Sequence, residues 1–216
     1  MVFSILVMIK NRIEAGKQLA EKLFKLLQDE KSIVLAIPRG GVVVGNEIAK
    51  KLGSNLDVVI SKKITPPSSP EYAIGAITFD GTIYVGPYWK QFSNEPYFEN
   101  EIEKKKIEVK RRLNEYRDSE KYQIKGKTVI LVDDGVATGA TVFVLLKWLS
   151  KLRCKRIILA IPVIPSQTFE QMSSLVDNLI TIMIPQEFSA VGQFYREFDQ
   201  VSDKEVLKIL KNYKQP

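Results

Sequence analysis

Histidine is absent from the 216 residues of this chain. Histidine is the commonest general base near neutral pH and a frequent metal ligand. Any chemistry must therefore rely on carboxylates, hydroxyls, amino and guanidinium groups or the backbone. Cysteine–histidine zinc sites are excluded too, which leaves oxygen ligands for hard cations such as Mg²⁺.

Cysteine and long hydrophobic runs are also scarce. Cys154 is the one cysteine, so no disulfide can form within the chain, which fits a reducing compartment and indicates the cytoplasm. No apolar stretch approaches the length of a transmembrane helix, so we expect no membrane partner. Residues 1–10 are apolar but lack the basic start and cleavage site of a signal peptide, and we interpret them as a strand.

Positive charge is in excess, with a formal net charge of +7. Such a charge fits nucleic acid, polyanionic small substrates or simply a lysine-rich surface, and the last is the simplest interpretation. The basic residues of 104–112 alternate along the helix with Glu101, Glu103 and Glu108 and not with aromatic side chains. The pattern is therefore typical of a solvated helix face and does not favour a nucleic-acid partner.

Strand-like and helix-like segments alternate along the chain, which predicts an α/β fold with a mainly parallel sheet flanked by helices. We expect a single domain over residues 1–216. The expected strands are 32–37, 56–61, 128–132, 156–162 and 178–184. The expected helices are 11–29, 42–52, 95–121, 140–152, 166–175 and 202–213, with Ser202 and Glu205 as a capping box. A hairpin is expected within 73–85, with Asp80-Gly81 at its turn.

The most informative segment is residues 129–141. Its apolar strand ends in Asp133 and Asp134, a loop of small residues follows, and a helix comes next. The loop residues are Gly135, Val136, Ala137, Thr138, Gly139, Ala140 and Thr141. Small residues let backbone N–H groups close on an anion, and the helix adds its positive N-terminal end. Carboxylates beside such an anion pocket suit a ligand that carries both hydroxyls and phosphate, as a sugar phosphate does.

Two other phosphate-binding motifs can be checked directly. The Walker motif needs a lysine after its second glycine, and Gly139 is followed by Ala140. The dinucleotide motif G-x-G-x-x-G follows none of the expected strands. Both are excluded.

Residues 129–141 resemble the 5-phosphoribosyl-1-diphosphate (PRPP) motif of type I phosphoribosyltransferases. The match combines an apolar strand, an acidic pair, a small-residue loop and Thr-Gly-x-Thr. The resemblance implies that Asp133 and Asp134 bind the ribose hydroxyls, with an indirect role toward Mg²⁺, and that Gly135 to Thr141 bind the 5-phosphate. It also implies the type I fold with a small hood near 184–216, a lid-like insertion near 64–85, and a homodimer.

The loop of Pro38, Arg39, Gly40 and Gly41 follows an expected strand, where the family keeps a diphosphate loop that often contains a cis peptide bond. A diphosphate needs close backbone approach, which glycines allow, and bidentate charge, which Arg39 supplies. Lys62-Lys63 resembles the family's basic diphosphate contact. Because adjacent strand residues point to opposite faces, only one can face the site, and we favour Lys63. A simple turn and solvated lysines are the structural alternatives.

Two further segments resemble parts of the family. Glu71 to Ala76 falls where type I enzymes carry a mobile lid, and lids exclude water that would hydrolyse the reacting sugar. Residues 184–192 resemble the hood of hypoxanthine-guanine enzymes, which makes Phe188 a candidate for stacking on a base, with core packing as the equal alternative. Ala137 stands where those purine enzymes have an acidic residue, which argues against hypoxanthine or guanine.

The resemblance implies transfer of the 5-phosphoribosyl group from Mg-PRPP to a nucleobase or related nitrogen acceptor, with release of diphosphate, in nucleotide metabolism. Two alternatives stay open. One is a PRPP- or nucleotide-sensing regulatory protein on the same fold that contacts RNA or DNA. The other is transfer or hydrolysis on a different phosphorylated sugar.

Overall fold

The structure, a computed structural model, describes residues 8–28, 30–66, 73–93 and 98–213 of the chain. The helices are α1 (Arg12–Leu27), α2 (Gly40–Leu52), α3 (Trp89–Phe92), α4 (Phe98–Tyr116), α5 (Ala140–Ser150), α6 (Ser166–Ser173) and α7 (Asp203–Leu210). The strands are β1 (Ser32–Ala36), β2 (Asn55–Val58), β3 (Ser61–Ile64), β4 (Gly75–Thr78), β5 (Ile83–Val85), β6 (Thr128–Val132), β7 (Arg156–Val163) and β8 (Asn178–Met183). The α/β fold expected from the sequence is confirmed.

Five strands form a parallel sheet in the order β2-β1-β6-β7-β8. Every residue of β6 is buried, as expected for a strand covered on both faces. Ala36 pairs with Val132 across β1 and β6, and the amide of Ile37 donates to the Val132 carbonyl at 2.8 Å. This register brings the segments that follow the two strands to the same edge of the sheet.

A second, antiparallel sheet contains β3, β4 and β5. The expected hairpin is confirmed: Asp80 accepts a hydrogen bond from the Thr82 amide at 2.9 Å, and Gly81 supplies the turn's positive φ of +85°. The single strand predicted for 56–61 was wrong. β2 ends at Val58, and residues 61–64 pair instead with β4, so Lys62 and Lys63 lie within a strand of the second sheet.

The small sheet packs against α5. The ring of Tyr84 on β5 stacks on Phe143 of α5 with 4.9 Å between the ring centroids. Lys147 of α5 donates to the carbonyl of Ile83 at 2.9 Å. Part of the predicted lid insertion thus packs against α5, and residues 67–72 of the lid lie outside the described residues.

The long charged helix is shorter than predicted. α4 ends at Tyr116, not near residue 121, and the predicted start at residue 95 lies outside the described residues. Arg117 follows the helix, and its guanidinium donates to both carboxylate oxygens of Asp57, at 2.7 and 2.8 Å. It also lies 3.9 Å over the ring of Tyr122. This forked ion pair ties the chain after α4 to β2, an edge strand of the central sheet.

The start of the described chain lies against residues 194–196. Ile9 forms a parallel bridge with Tyr195; its amide donates to the carbonyl of Phe194, and its own carbonyl accepts from Arg196, both at 2.9 Å. The strand predicted for residues 1–10 lies mostly outside the described residues. At the other end, the capping box of α7 is confirmed, since the Ser202 hydroxyl accepts from the Glu205 amide.

No helix in the described part of the chain is both long and apolar enough to cross a membrane.

Candidate functional site

The acidic pair lies at the carboxyl end of β6. Asp133 Oδ1 accepts a hydrogen bond from the Asp134 amide at 2.8 Å, and a Cβ on Gly41 would lie 2.9 Å from the Asp133 Cα. Gly41 is therefore required for the close approach of α2 to this strand end. Burial, reinforced by the negative charge of Asp134, raises the pKa of the Asp133 carboxyl well above its ordinary value.

The loop after the pair is held by its neighbours. The Val136 amide donates to the Val163 carbonyl at 3.0 Å, and the Thr168 hydroxyl donates to the Ala137 carbonyl at 2.9 Å. Gly139 has a φ of +77°, which favours glycine, and α5 begins at the next residue. The loop is thus a fixed backbone cradle at a helix N-terminus, as an anion site requires.

This loop lines a cavity of about 190 Å³. Its lining residues are Lys63, Asp133, Gly135, Val136, Ala137, Thr138, Gly139, Thr141 and Val191. Ala140 is buried at the first position of α5. The structure therefore gathers the predicted phosphate-loop residues with one lysine and one carboxylate around a single opening.

The loop predicted to hold diphosphate opens into a neighbouring cavity of about 570 Å³. Its lining residues are Arg12, Ile37, Pro38, Arg39, Gly40, Ser61, Asp133, Asp134, Thr141, Val191, Phe198, Gln200 and Val201. The peptide bond between Pro38 and Arg39 is cis. The Arg39 guanidinium is 3.8 Å from Asp203, and its side chain keeps 29% of its exposure. Both cavities share Asp133, Thr141 and Val191, so they adjoin.

The two adjacent lysines of β3 have separate surroundings. Lys62 Nζ lies 2.6 Å from Glu108 of α4 in an ion pair. Lys63 lines the cavity of the phosphate-type loop. This is the arrangement that the alternation of side chains along a strand predicts.

Phe188 is not brought to either cavity. Its ring packs on Phe194, with 5.4 Å between centroids, in a small cluster that also includes Tyr195. This surrounding matches the packing alternative, and base binding by Phe188 stays a prediction.

Sequence reasoning assigned no role to Arg12, which lies beside the acidic pair. Arg12 Nε is 2.6 Å from Asp134 Oδ2, and the guanidinium lies 3.8 Å from the ring centroid of Phe198. The Tyr195 hydroxyl donates to the Asp134 carbonyl at 2.7 Å; burial raises the pKa of this phenol, which keeps it a donor. One signal was available: a cation in the first turn of a helix faces the positive end of the helix dipole, so it needs an acidic partner.

Metal ligands from the protein are few. Among the described residues, no group of three or more His, Cys, Asp or Glu side chains could hold a metal ion. Magnesium commonly keeps several waters and binds through one or two carboxylates plus substrate phosphates. Asp133 and Asp134 fit that mode of binding, and an all-protein cage does not.

The geometry defines an α/β protein with an acidic pair, a small-residue loop at a helix N-terminus and a second loop containing Arg39 at one edge of a parallel sheet. A family model described as the phosphoribosyl transferase domain matches residues 4–198. The chain therefore belongs to the phosphoribosyl transferase domain family.

Relatives of known sequence agree with this membership. Two curated proteins from two strains of Mycobacterium tuberculosis, both provisionally named phosphoribosyl transferases, are each 34% identical to this chain over 203 residues. The match covers 93% of this chain and 46% of each relative. The chain thus spans about half the length of the curated relatives it matches.

Solved structures show the same fold. The crystal structure of TT1426 from Thermus thermophilus has a TM-score of 0.81 and 36% identity, and the match covers 96% of this chain and 100% of that one. The structure of AQ2163 from Aquifex aeolicus has a TM-score of 0.53 at 12% identity, over 84% of this chain and 78% of that one. The second likeness concerns the fold alone.

Proposed function

We propose that this protein is a phosphoribosyltransferase that moves the 5-phosphoribosyl group from Mg-PRPP to a nucleobase or related nitrogen acceptor and releases diphosphate. The observation that carries this proposal is the pair of adjoining cavities that share Asp133. One contains a phosphate-type loop and Lys63, and the other contains Arg39 and Gly40. A ribose with phosphate at one end and diphosphate at the other can span such a pair.

Different residues would bind different parts of PRPP. The backbone of Gly135 to Thr141 would bind the 5-phosphate, helped by the N-terminus of α5. Asp133 and Asp134 would accept hydrogen bonds from the ribose hydroxyls. Arg39 and Gly40 would bind the diphosphate in the larger cavity, with Gly41 allowing α2 to lie close to Asp133. Lys63, predicted as a diphosphate contact, lines the smaller cavity and would bind phosphate there.

The reaction breaks the bond between the anomeric carbon and the diphosphate oxygen and forms a bond from that carbon to the acceptor nitrogen. The acceptor gives up its N–H proton to the diphosphate or to water. Positive charge develops on the ribose ring, and the carboxylates beside it stabilise that charge. Magnesium would reduce the negative charge of the diphosphate. Oxygens of the diphosphate, water molecules and the carboxylates of Asp133 and Asp134 would hold the ion.

This chemistry fits a chain without histidine, because it depends on positioning and leaving-group stabilisation more than on a dedicated base. Ala137 in place of an acidic residue argues for an acceptor other than hypoxanthine or guanine. The cytoplasmic location and the role in nucleotide metabolism are part of this proposal, and the free thiol of Cys154 fits a reducing compartment. The homodimer stays a prediction.

The test is calorimetric titration of PRPP, with and without Mg²⁺, into wild type and into the Asp133→Asn/Asp134→Asn variant. A matched control is Glu99→Gln/Glu170→Gln, which removes the same charge from exposed positions of α4 and α6. We expect magnesium-dependent binding by wild type and control, and none by the aspartate variant. Diphosphate release with a panel of bases and amines then identifies the acceptor. A folded wild type that does not bind PRPP would contradict the proposal.

A further inference from the structure

Arg12 is the first residue of α1, yet its guanidinium is bound within the candidate site. Nε lies 2.6 Å from Asp134 Oδ2, and one terminal nitrogen donates to the Asp199 carbonyl at 2.7 Å. The ring of Phe198 covers the guanidinium at 3.8 Å. Only 12% of the Arg12 side chain and 17% of the Asp134 side chain stay exposed. Three separate contacts therefore fix the orientation of this one cation.

Asp134 is held from several directions as a result. Its Oδ2 lies between Arg12 and Gly40, where a Cβ would be 1.8 Å from this oxygen. Its carbonyl accepts from the Tyr195 hydroxyl at 2.7 Å. Because Oδ2 is bound by Arg12 and crowded by Gly40, Oδ1 is the oxygen more open to a ligand.

We propose that Arg12 is a positioning residue for the ribose-binding carboxylate: it fixes Asp134 through Oδ2 so that Oδ1 meets the sugar hydroxyl. This inference rests on the proposed function. It gives the two aspartates different roles: Asp133 borders both cavities, whereas Asp134 is oriented by Arg12. It also gives Phe198, which lines the larger cavity, and Asp199 a part in holding the Arg12 guanidinium.

The placement of Arg12 argues against an incidental surface ion pair. Surface pairs contribute little because both side chains are mobile and solvated. Here the guanidinium is stacked, doubly hydrogen-bonded and mostly buried, although a cation at a helix N-terminus faces the positive end of the dipole. The ion pair with Asp134 outweighs this unfavourable interaction of Arg12 with the helix dipole.

The test compares Arg12→Met, Arg12→Lys and wild type by PRPP calorimetry and steady-state kinetics. Arg12→Met keeps an unbranched side chain as far as the position of Nε and removes the charged guanidinium group. We expect PRPP to bind about tenfold to a hundredfold more weakly, with KM rising by more than kcat falls, as for a residue that orients a ground-state contact. Arg12→Lys keeps the charge but cannot reach Asp134 and Asp199 together, so its loss should be intermediate.

Two further variants keep the inference testable. Lys17→Met removes an exposed cation from the same helix and should bind PRPP as wild type does. Phe198→Leu removes the ring that covers the guanidinium without touching α1, and it should weaken PRPP binding even if Arg12→Met does not fold. In combination with Asp134→Asn, the effect of Arg12→Met should nearly vanish, because the two residues act through one contact.

The outcomes separate the two proposals. If wild type binds PRPP and the folded Arg12 and Phe198 variants bind it equally well, the positioning role is wrong while the proposed function stands. If the variants lose thermal stability alone, Arg12 is structural and the inference is overturned. If wild type itself does not bind PRPP, both proposals fall together.

Discussion

Gly40 and Asp134 approach each other so closely that no side chain fits between them. A Cβ on Gly40 would lie 1.8 Å from Asp134 Oδ2 and 2.7 Å from Arg12 Nε. The first residue of α2 is thus in contact with the acidic pair at the end of β6. The loop that precedes α2 and the carboxylates are parts of a single packed unit.

Substitution Gly40→Ala should disrupt this unit. The added methyl group must displace Asp134, Arg12 or the α2 backbone, since real Cβ atoms do not tolerate such distances. We expect PRPP affinity to fall by about a hundredfold and stability by about 2 kcal/mol, which is typical of overpacking. Calorimetry and urea unfolding measure the two effects.

Gly53→Ala is the matched control. Gly53 has a φ of +60°, and no atom of the described residues lies within 4 Å of the position of its Cβ. Its substitution should cost about 1 kcal/mol through backbone strain and leave PRPP binding unchanged. Equal PRPP affinity in Gly40→Ala and wild type would show that the contact with Asp134 is irrelevant to the ligand.

The two lysines of β3 should differ sharply. Lys63→Met removes a cation from the cavity of the phosphate-type loop and should weaken PRPP binding about tenfold or more, with a smaller loss at high salt because charges are screened. Lys62→Met breaks the pair with Glu108 and should leave the affinity near that of wild type. Calorimetric titration of PRPP at two salt concentrations compares the two variants. A greater loss of affinity in Lys62→Met than in Lys63→Met would refute the assignment of Lys63.

Glu30 should make stability depend on pH in the acidic range. Hydrogen bonds from Lys155 and Thr128 lower the pKa of its carboxyl from 4.5 to about 2. Because the folded-state pKa is the lower one, the ionised carboxylate stabilises the fold above about pH 4.5, and this contribution is lost as the pH falls toward 2.

Glu30→Gln should therefore reduce the free energy of unfolding by about 1 kcal/mol at pH 7, a value that allows for partial solvent screening. The difference from wild type should shrink between pH 4.5 and 2. Urea unfolding of both proteins across this range is the measurement. A difference that stays constant with pH would mean that the carboxylate is not stabilised in the fold.

Local sequence was sufficient for the centre of the site. The apolar run of β6, the acidic pair and the small-residue loop are adjacent in sequence, and the parallel sheet places the loop after β1 at the same edge. Alternation along a strand also separates Lys62 from Lys63, even though the strand itself was misplaced. In each case the structure is determined by interactions among residues that are close in sequence or by the general geometry of a parallel sheet.

The parts that sequence missed depend on distant pairings. Residues 61–64 join β4 and not β2, and their short pattern does not encode that choice. α4 ends at Tyr116, and the next residue, Arg117, pairs with Asp57, which lies 60 positions away. Arg12 was overlooked because its partner Asp134 is 122 positions distant, and a lone arginine at a helix start resembles a solvated one.

The bridge between Ile9 and Tyr195 has a consequence for the order in which the molecule assembles. Arg12 reaches Asp134 only where residues 9–11 are joined to residues 194–197, and its own bond to Asp199 closes a loop of 187 positions. Closing such a loop costs more entropy than pairing β1 with β2 or β6 with β7. The pairs β1–β2 and β6–β7 can thus form early in folding, while the proposed ligand site is complete only when residues 9–12 have docked on residues 194–199.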